Sequence, residues 1–144
     1  MANVVPNAFK GELLSGTHNF ASGGDSFKLA LYTANPYTTS STAYSSGAGN
    51  EVSGSAAGYS TGGSALTSQA VASSTATASV DFANLTFSSA TFSAAFGAIY
   101  NDDKSDKLVV ILDFGGTKIA TNGDFTIAFP DPSTPSNAII SLTS

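Results

Sequence analysis

Large apolar residues alternate with small or polar residues along much of the chain, which is the two-residue period of a β-strand. The alternation is longest from residue 91 to residue 100, in the sequence TFSAAFGAIY. Five residues there are predicted to share one face: Phe92, Ala94, Phe96, Ala98 and Tyr100. The same period predicts strands at 26–33, from 75 to 81, at 125–129 and at 138–142.

Residues 107–114 are apolar on both faces, a pattern typical of a strand in the middle of a sheet. The polar residues 101–106 before them predict a hairpin turn. Turn-forming residues recur every 8 to 12 positions, so the sequence predicts six to eight antiparallel strands. The predicted fold is therefore all-β, a β-sandwich or jelly-roll-like barrel, in one domain spanning 1–144.

Two segments depart from this strand period. Residues 7–16 are helical in pattern, with Asn7 placed to cap the helix and Gly16 placed to end it. We therefore predict an N-terminal arm and short helix over 1–16. Residues 34–67 are rich in glycine, serine and threonine, which predicts a long extended loop or arm.

Five residues of this loop are candidate partner contacts, because sparse aromatic and apolar side chains can anchor a polar segment on a surface. That surface is either the domain itself or a neighbouring subunit, and the sequence leaves both alternatives open. The five candidates are Tyr37, Tyr44, Val52, Tyr59 and Leu66.

Charged residues form only 10% of the 144 residues, well below the usual share of a soluble domain. A weakly charged surface repels its neighbours poorly, which favours association. The chain carries five lysines, no arginine and a net charge of −5, so nucleic-acid binding and an anionic membrane surface are both disfavoured. It has no cysteine, no apolar run long enough for a membrane span, and no signal-peptide pattern at the N-terminus.

Candidate catalytic or metal-binding residues are few, and the pattern predicts no enzyme, no cofactor and no metal. His18 is the single histidine and reads as a loop residue after the helix. The acidic run 101–106 matches only the first ligands of a calcium loop, so a hairpin turn is favoured over a weak cation site. Three aspartates considered as hydrolytic acids are scattered along the chain: Asp81, Asp113 and Asp124.

Several blocks resemble a small virion protein of tailed bacteriophages, in the same order over nearly the whole chain. They are FKGELLSGTHNF, DSFKLALYTA, NEVSG…GYSTGGSALT, FGAIYND, LVVILDFGGTK…GDFTIAFP and NAIISL. Members of that family are usually encoded among head and tail genes. The resemblance implies a structural component of the phage particle, made in the host bacterial cytoplasm.

Two positions on the particle remain open. A capsid decoration, or cement, protein would bind the major capsid protein and stabilise the shell, and the weak charge and loop-rich arms favour it. It would contact copies of itself as well, with a homotrimer the geometric expectation. The alternative is a tail, baseplate or fibre-associated protein, which includes a host-surface adhesin module.

Overall fold

The computed structural model describes residues 3–130 and 138–144, and the chain is mostly β-structure there. This confirms the predicted all-β class with one short N-terminal helix. Residues 1 and 2 of the predicted N-terminal arm lie outside the described residues. The elements in chain order are α1 (Asn7–Leu14), β1 (Phe27–Tyr32), β2 (Ser64–Ala65), β3 (Ala70–Ser73), β4 (Thr77–Asp81), β5 (Leu85–Asn101), β6 (Lys107–Ile127) and β7 (Ile140–Thr143).

The strands form two antiparallel sheets in a sandwich-like arrangement. The first sheet has the order β2-β1-β5-β6, and the second has the order β3-β4-β7. The main core contains side chains of both sheets together with Phe9 of α1. A second, smaller core lies on the other face of the first sheet, where Tyr32 and Tyr100 are buried.

The long hairpin of β5 and β6 contributes side chains to both cores, because a bulge moves successive side chains of β5 from one face of the sheet to the other. Ala94 pairs with Lys118, whereas Phe96 pairs with Asp113, so extra residues of β6 are accommodated there. The predicted common face of 92–100 is therefore wrong. Phe92 and Ala94 belong to the main core, and the later members belong to the smaller one: Phe96, Ala98 and Tyr100.

The first part of β6, over 108–112, is buried on both faces, but β6 is not a central strand because it ends the order of the first sheet. Its outer edge is covered near its start by two irregular segments. Val4 exchanges both backbone hydrogen bonds with Ile111, at 2.8 Å each. The backbone of 42–44 bonds to Asp106 and Leu108. Loops therefore account for the burial of this strand. The apolar pattern of one strand does not show whether a loop or a neighbouring strand covers it.

The free edge of β1 is covered by the glycine- and serine-rich segment. The Val52 N–H donates to the Leu31 carbonyl at 2.9 Å, and the Leu66 N–H donates to the Phe27 carbonyl at 2.8 Å. Residues 53–63 leave the edge between these two points and return at Gly63. The segment therefore follows the sheet edge, as an edge strand interrupted by one excursion.

Helix α1 ends as the sequence predicts but begins differently. Gly16 has a φ of 73°, and the Thr17 N–H donates to the Glu12 carbonyl at 2.9 Å, which is the Schellman arrangement. Pro6 precedes the first helical residue, and no side chain caps the helix. The prediction that Asn7 is the cap is therefore wrong. Its side-chain oxygen accepts from Lys10 at 3.3 Å instead.

Replacing Gly63 with alanine should destabilise the protein by at least about 3 kcal/mol. An added Cβ would overlap the Leu29 carbonyl oxygen, and Gly63 has a φ of 75° as well. Gly49 is the matched control, since its φ is 85° but no atom lies within 4 Å of an added Cβ. Gly49→Ala should cost only about 1–2 kcal/mol of backbone strain. Equal losses for the two variants in urea unfolding would contradict the close approach at Gly63.

Candidate interaction surface

An apolar cleft lies between helix α1 and strand β7. It encloses about 470 Å³ and has one charged residue in its lining, Lys10. The helix buries only Phe9 fully, so the apolar residues that follow remain available to the cleft. The lining consists of Val5, Phe9, Lys10, Leu13, Leu14, Ile139, Ile140, Ser141 and Leu142.

Two leucines at the rim of this cleft are largely exposed. Leu14, the last residue of α1, is 88% exposed, and Leu142 of β7 is 58% exposed. Single exposed leucines are common on protein surfaces, but two leucines beside an apolar recess form a contiguous patch. The lining offers mainly apolar contact surface, and its only polar side chains are those of Lys10 and Ser141.

A second recess of about 280 Å³ continues the cleft beneath the second sheet. It shares Leu13, Ile140 and Leu142 with the first recess, and it reaches Val71, which is also exposed. We refer to the two recesses together as the α1–β7 cleft.

The five loop residues predicted as partner contacts lie elsewhere and pack against the domain itself. Tyr44 is half-buried and stacks on Tyr100 with 4.4 Å between ring centroids. This matches the first of the two alternatives left open by the sequence, and contact with a partner stays a prediction. The other four are buried: Tyr37, Val52, Tyr59 and Leu66.

Glu51 holds the returning part of this loop through three donors. Its carboxylate accepts from the Tyr59 hydroxyl at 2.7 Å, the Tyr44 hydroxyl at 3.0 Å and the Gly62 N–H at 2.6 Å. The Tyr59 hydroxyl also accepts from the Leu31 N–H at 3.0 Å. Burial, followed by the contact with Glu51, raises the pKa of the Tyr44 hydroxyl above its ordinary value, so this hydroxyl remains a donor.

His18 forms a second polar cluster that joins α1 to the β5–β6 turn, and its side chain has no exposed surface. Its Nε2 lies 3.0 Å from Glu12 Oε2, and its Nδ1 lies 2.9 Å from Asn101 Nδ2. Lys107 donates to the other oxygen of Glu12. Asn101 Nδ2 also donates to Asp25 Oδ2 at 2.9 Å. His18 lies in the loop after the helix, as predicted, and its buried side chain bridges α1 and the end of β5.

The two carboxylates of this cluster are stabilised in their charged forms. Burial works to raise the pKa of Glu12, but the hydrogen bonds from Lys107 and His18 outweigh it and hold that pKa below the ordinary 4.5. Burial likewise opposes ionisation of Asp25, but hydrogen bonds from Asn101 and the Asn19 N–H, with the nearby charge of Lys104, hold its pKa below the ordinary 3.8.

The acidic turn after β5 is a hairpin turn, as predicted, and contains a 3₁₀ turn over Asp102–Lys104. Its carboxylates bond to protein groups: Asp102 accepts from Lys28 at 2.9 Å, and Asp103 accepts from the Ser26 N–H at 2.6 Å. Across residues 3–130 and 138–144, no three acidic or histidine side chains converge as a metal ion would require.

The three aspartates considered as hydrolytic acids are divided between the two sheets. Asp81 ends β4 in the second sheet, whereas Asp113 and Asp124 lie on β6 of the first sheet.

Comparisons with protein families, with curated proteins and with solved structures find no match to this chain. None of the helices in the described residues has the length and apolar character needed to cross a membrane.

Sequence reasoning missed both the cleft and the His18 cluster. The adjacent pair Leu13 and Leu14 at the end of a short helix was the available signal for the cleft, since neighbouring helical side chains point about 100° apart and a helix of two turns need not bury both. The cluster had no local signal, because Glu12 and Lys107 are brought together only by the fold.

Changing Glu51 to glutamine should destabilise the protein by about 1.5–3 kcal/mol, because one oxygen becomes an NH2 group that cannot accept and the remaining hydrogen bonds lose the carboxylate charge. Chemical unfolding at pH 7 measures this loss. Asp124→Asn is the control, since Asp124 is exposed, and it should change the free energy of unfolding by less than about 0.5 kcal/mol. An equally small effect of Glu51→Gln would show that the three donors are satisfied by water.

The lowered pKa values of Glu12 and Asp25 predict loss of stability in acid. Each group binds a proton more readily in the unfolded chain, so its contribution is complete above the unfolded pKa and disappears as the pH falls through the folded pKa. The free energy of unfolding should therefore fall below about pH 4.5. Glu12→Gln should make this acid dependence shallower, and an unchanged slope in urea titrations would contradict the assignment.

Proposed function

We propose that this chain is a structural protein of a tailed-phage particle, in particular a capsid decoration protein that binds the outer surface of the shell. The single observation that carries the binding part of this proposal is the α1–β7 cleft, with its two exposed leucines. The resemblance of the sequence blocks to a virion protein supports the particle as the place of binding.

The character of the cleft favours assembly over turnover. A ligand-processing site usually combines an apolar pocket with a few converging polar groups. The wider recess instead has one lysine, and that lysine donates to Asn7 of the same helix. An apolar side chain or strand of a partner could bury the two leucines, each contributing about 1.5–3 kcal/mol if fully covered.

A repeated capsid surface is a suitable partner because many weak contacts act together on one particle. The proposed partners are the major capsid protein and neighbouring copies of this chain, with a homotrimer as the proposed assembly. The low share of charged residues, 10% of the chain, supports close approach of copies because few charged side chains would need to lose their water.

The location on the particle is tested by labelling this protein in intact virions and imaging heads and tails by electron microscopy. Label on the shell, together with DNA loss on heating in particles that lack the protein, is the expected result. Label confined to tails would reject the decoration role in favour of the tail, baseplate or fibre alternative. Absence from purified virions would reject both.

The role of the cleft is tested by the double variant Leu14→Ser and Leu142→Ser. Its affinity for shells that lack the protein should fall at least about tenfold, because both apolar contacts are lost. Its stability should change little, since both side chains are largely exposed in the free chain.

Ile119→Ser is the matched control for this experiment. Ile119 is 74% exposed on β6 and lies outside the α1–β7 cleft. The Ile119→Ser variant should bind shells as the unchanged protein does. Equal binding by the double variant would exclude the cleft as the contact surface, and an equal loss in Ile119→Ser would indicate nonspecific apolar adhesion.

A further inference from the structure

The outer edge of β7 carries backbone groups that point away from its neighbour β4. In an antiparallel pair, residues that exchange backbone hydrogen bonds with the partner strand alternate with residues whose N–H and carbonyl groups face the other way. The Ser144 N–H donates to the Ala76 carbonyl at 3.1 Å, which fixes this alternation. Every second residue counted back from Ser144 therefore bonds to β4, and the backbone groups of Ser141 and Thr143 face outward.

The space on that outward side is the α1–β7 cleft. Four consecutive residues, from 139 to 142, line its wider recess. Successive side chains of a strand point to opposite faces, so a run of four lining residues shows that the edge of β7 itself borders the recess. Across residues 3–130 and 138–144, no backbone hydrogen bond joins Ser141 or Thr143 to another element. The second sheet therefore has an open strand edge beside an apolar recess.

This edge lacks the features that usually prevent pairing with another chain, which are charged side chains, proline and bulges. Residues 138–144 contain no charged residue and no proline. The register of β7 with β4 is unbroken from Ile140 to Thr143, so no bulge distorts the edge. Like charges placed opposite each other destabilise a strand pair, and two copies of this strand bring none together. The edge is thus compatible with a second copy of itself.

We propose that β7 pairs antiparallel with β7 of a second copy, about a two-fold axis at Ser141. The two Ser141 residues then exchange both of their outward backbone hydrogen bonds. Ile140 of each copy lies opposite Leu142 of the other, at a position without hydrogen bonds, where opposing side chains approach most closely. The neighbouring registers with the same hydrogen bonding leave one of these apolar side chains opposite Ser144 or Ala138 instead. The two second sheets become one sheet of six strands.

The second copy occupies the β7 side of the cleft and covers Leu142, which is 58% exposed in the free chain. This contact deepens the proposed function, since it specifies how neighbouring copies meet, but it needs no shell and is measured without one. It joins copies two by two and is therefore separate from the threefold contact of the proposed homotrimer. A strand of four residues buries less surface than a permanent dimer requires, so the pair is reversible.

The first test is sedimentation equilibrium of the chain alone, at concentrations up to about 1 mM. It should show a reversible dimer with a Kd of about 10 μM to 1 mM. Ser141→Pro removes an N–H that β4 does not use, and it should raise this Kd at least about tenfold. Ser73→Pro is the matched control, because the Ser74 N–H donates to the Thr77 carbonyl and Ser73 therefore faces outward on the opposite edge strand, β3.

The Ser73→Pro variant should dimerise as the unchanged chain does. A chain that remains monomeric at about 1 mM would overturn the proposal. So would an equally strong dimer in Ser141→Pro. Failure of the chain to bind capsid shells would reject the decoration role and leave this pairing intact.

The second test does not depend on how the sheet tolerates proline. The chain has no cysteine, so Ser141→Cys would carry a single thiol. Paired residues at the two-fold axis have Cα atoms about 5.5 Å apart, which is within the range of a disulfide. Oxidised glutathione should therefore convert Ser141→Cys into a covalent dimer. Ser73→Cys, also exposed, should remain monomeric, and equal cross-linking of the two variants would exclude the pairing.

Discussion

The need to close both edges of the first sheet governs this structure. An open strand edge leaves backbone N–H and carbonyl groups without partners, and a short second sheet cannot supply them. The edge of β1 is closed by residues 50–52 and 64–66, with an excursion between them. The excursion takes the chain away from Leu31, and the Tyr59 hydroxyl accepts from the Leu31 N–H in its place. Glu51 then holds Tyr59, so a glycine-rich loop becomes an ordered part of the sheet.

The use of charged side chains in internal contacts adds to the weak charge of the surface. Several of the few charged side chains are used inside the fold, including Glu51, Glu12 and Asp25. Their partners are tyrosines, backbone amides and lysines brought from distant parts of the chain. The face formed by α1 and β7 receives none of these polar groups except Lys10. Because the charged side chains are used in internal contacts elsewhere, the face between α1 and β7 stays largely apolar.

The sequence predicts the class of fold because strand alternation is a local property of residues such as Phe125 and Ile127. It does not predict the bulge between Ala94 and Phe96, since the bulge depends on how many residues of β6 lie opposite this part of β5. Apolar residues on both faces of β6 likewise predict burial but not what covers the strand. The bridge from Glu12 through His18 to Asn101 joins distant positions, so no spacing rule could reveal it.

The position of the long hairpin late in the chain has a consequence for biosynthesis. Phe27 pairs with Asn101, and Val4 pairs with Ile111, so the N-terminal third has almost none of its sheet partners until those residues leave the ribosome. The nascent chain must therefore hold Phe20, Phe27 and Leu29 exposed while translation continues. Exposed apolar side chains and unpaired strand edges make such a nascent chain prone to aggregate until the hairpin is complete.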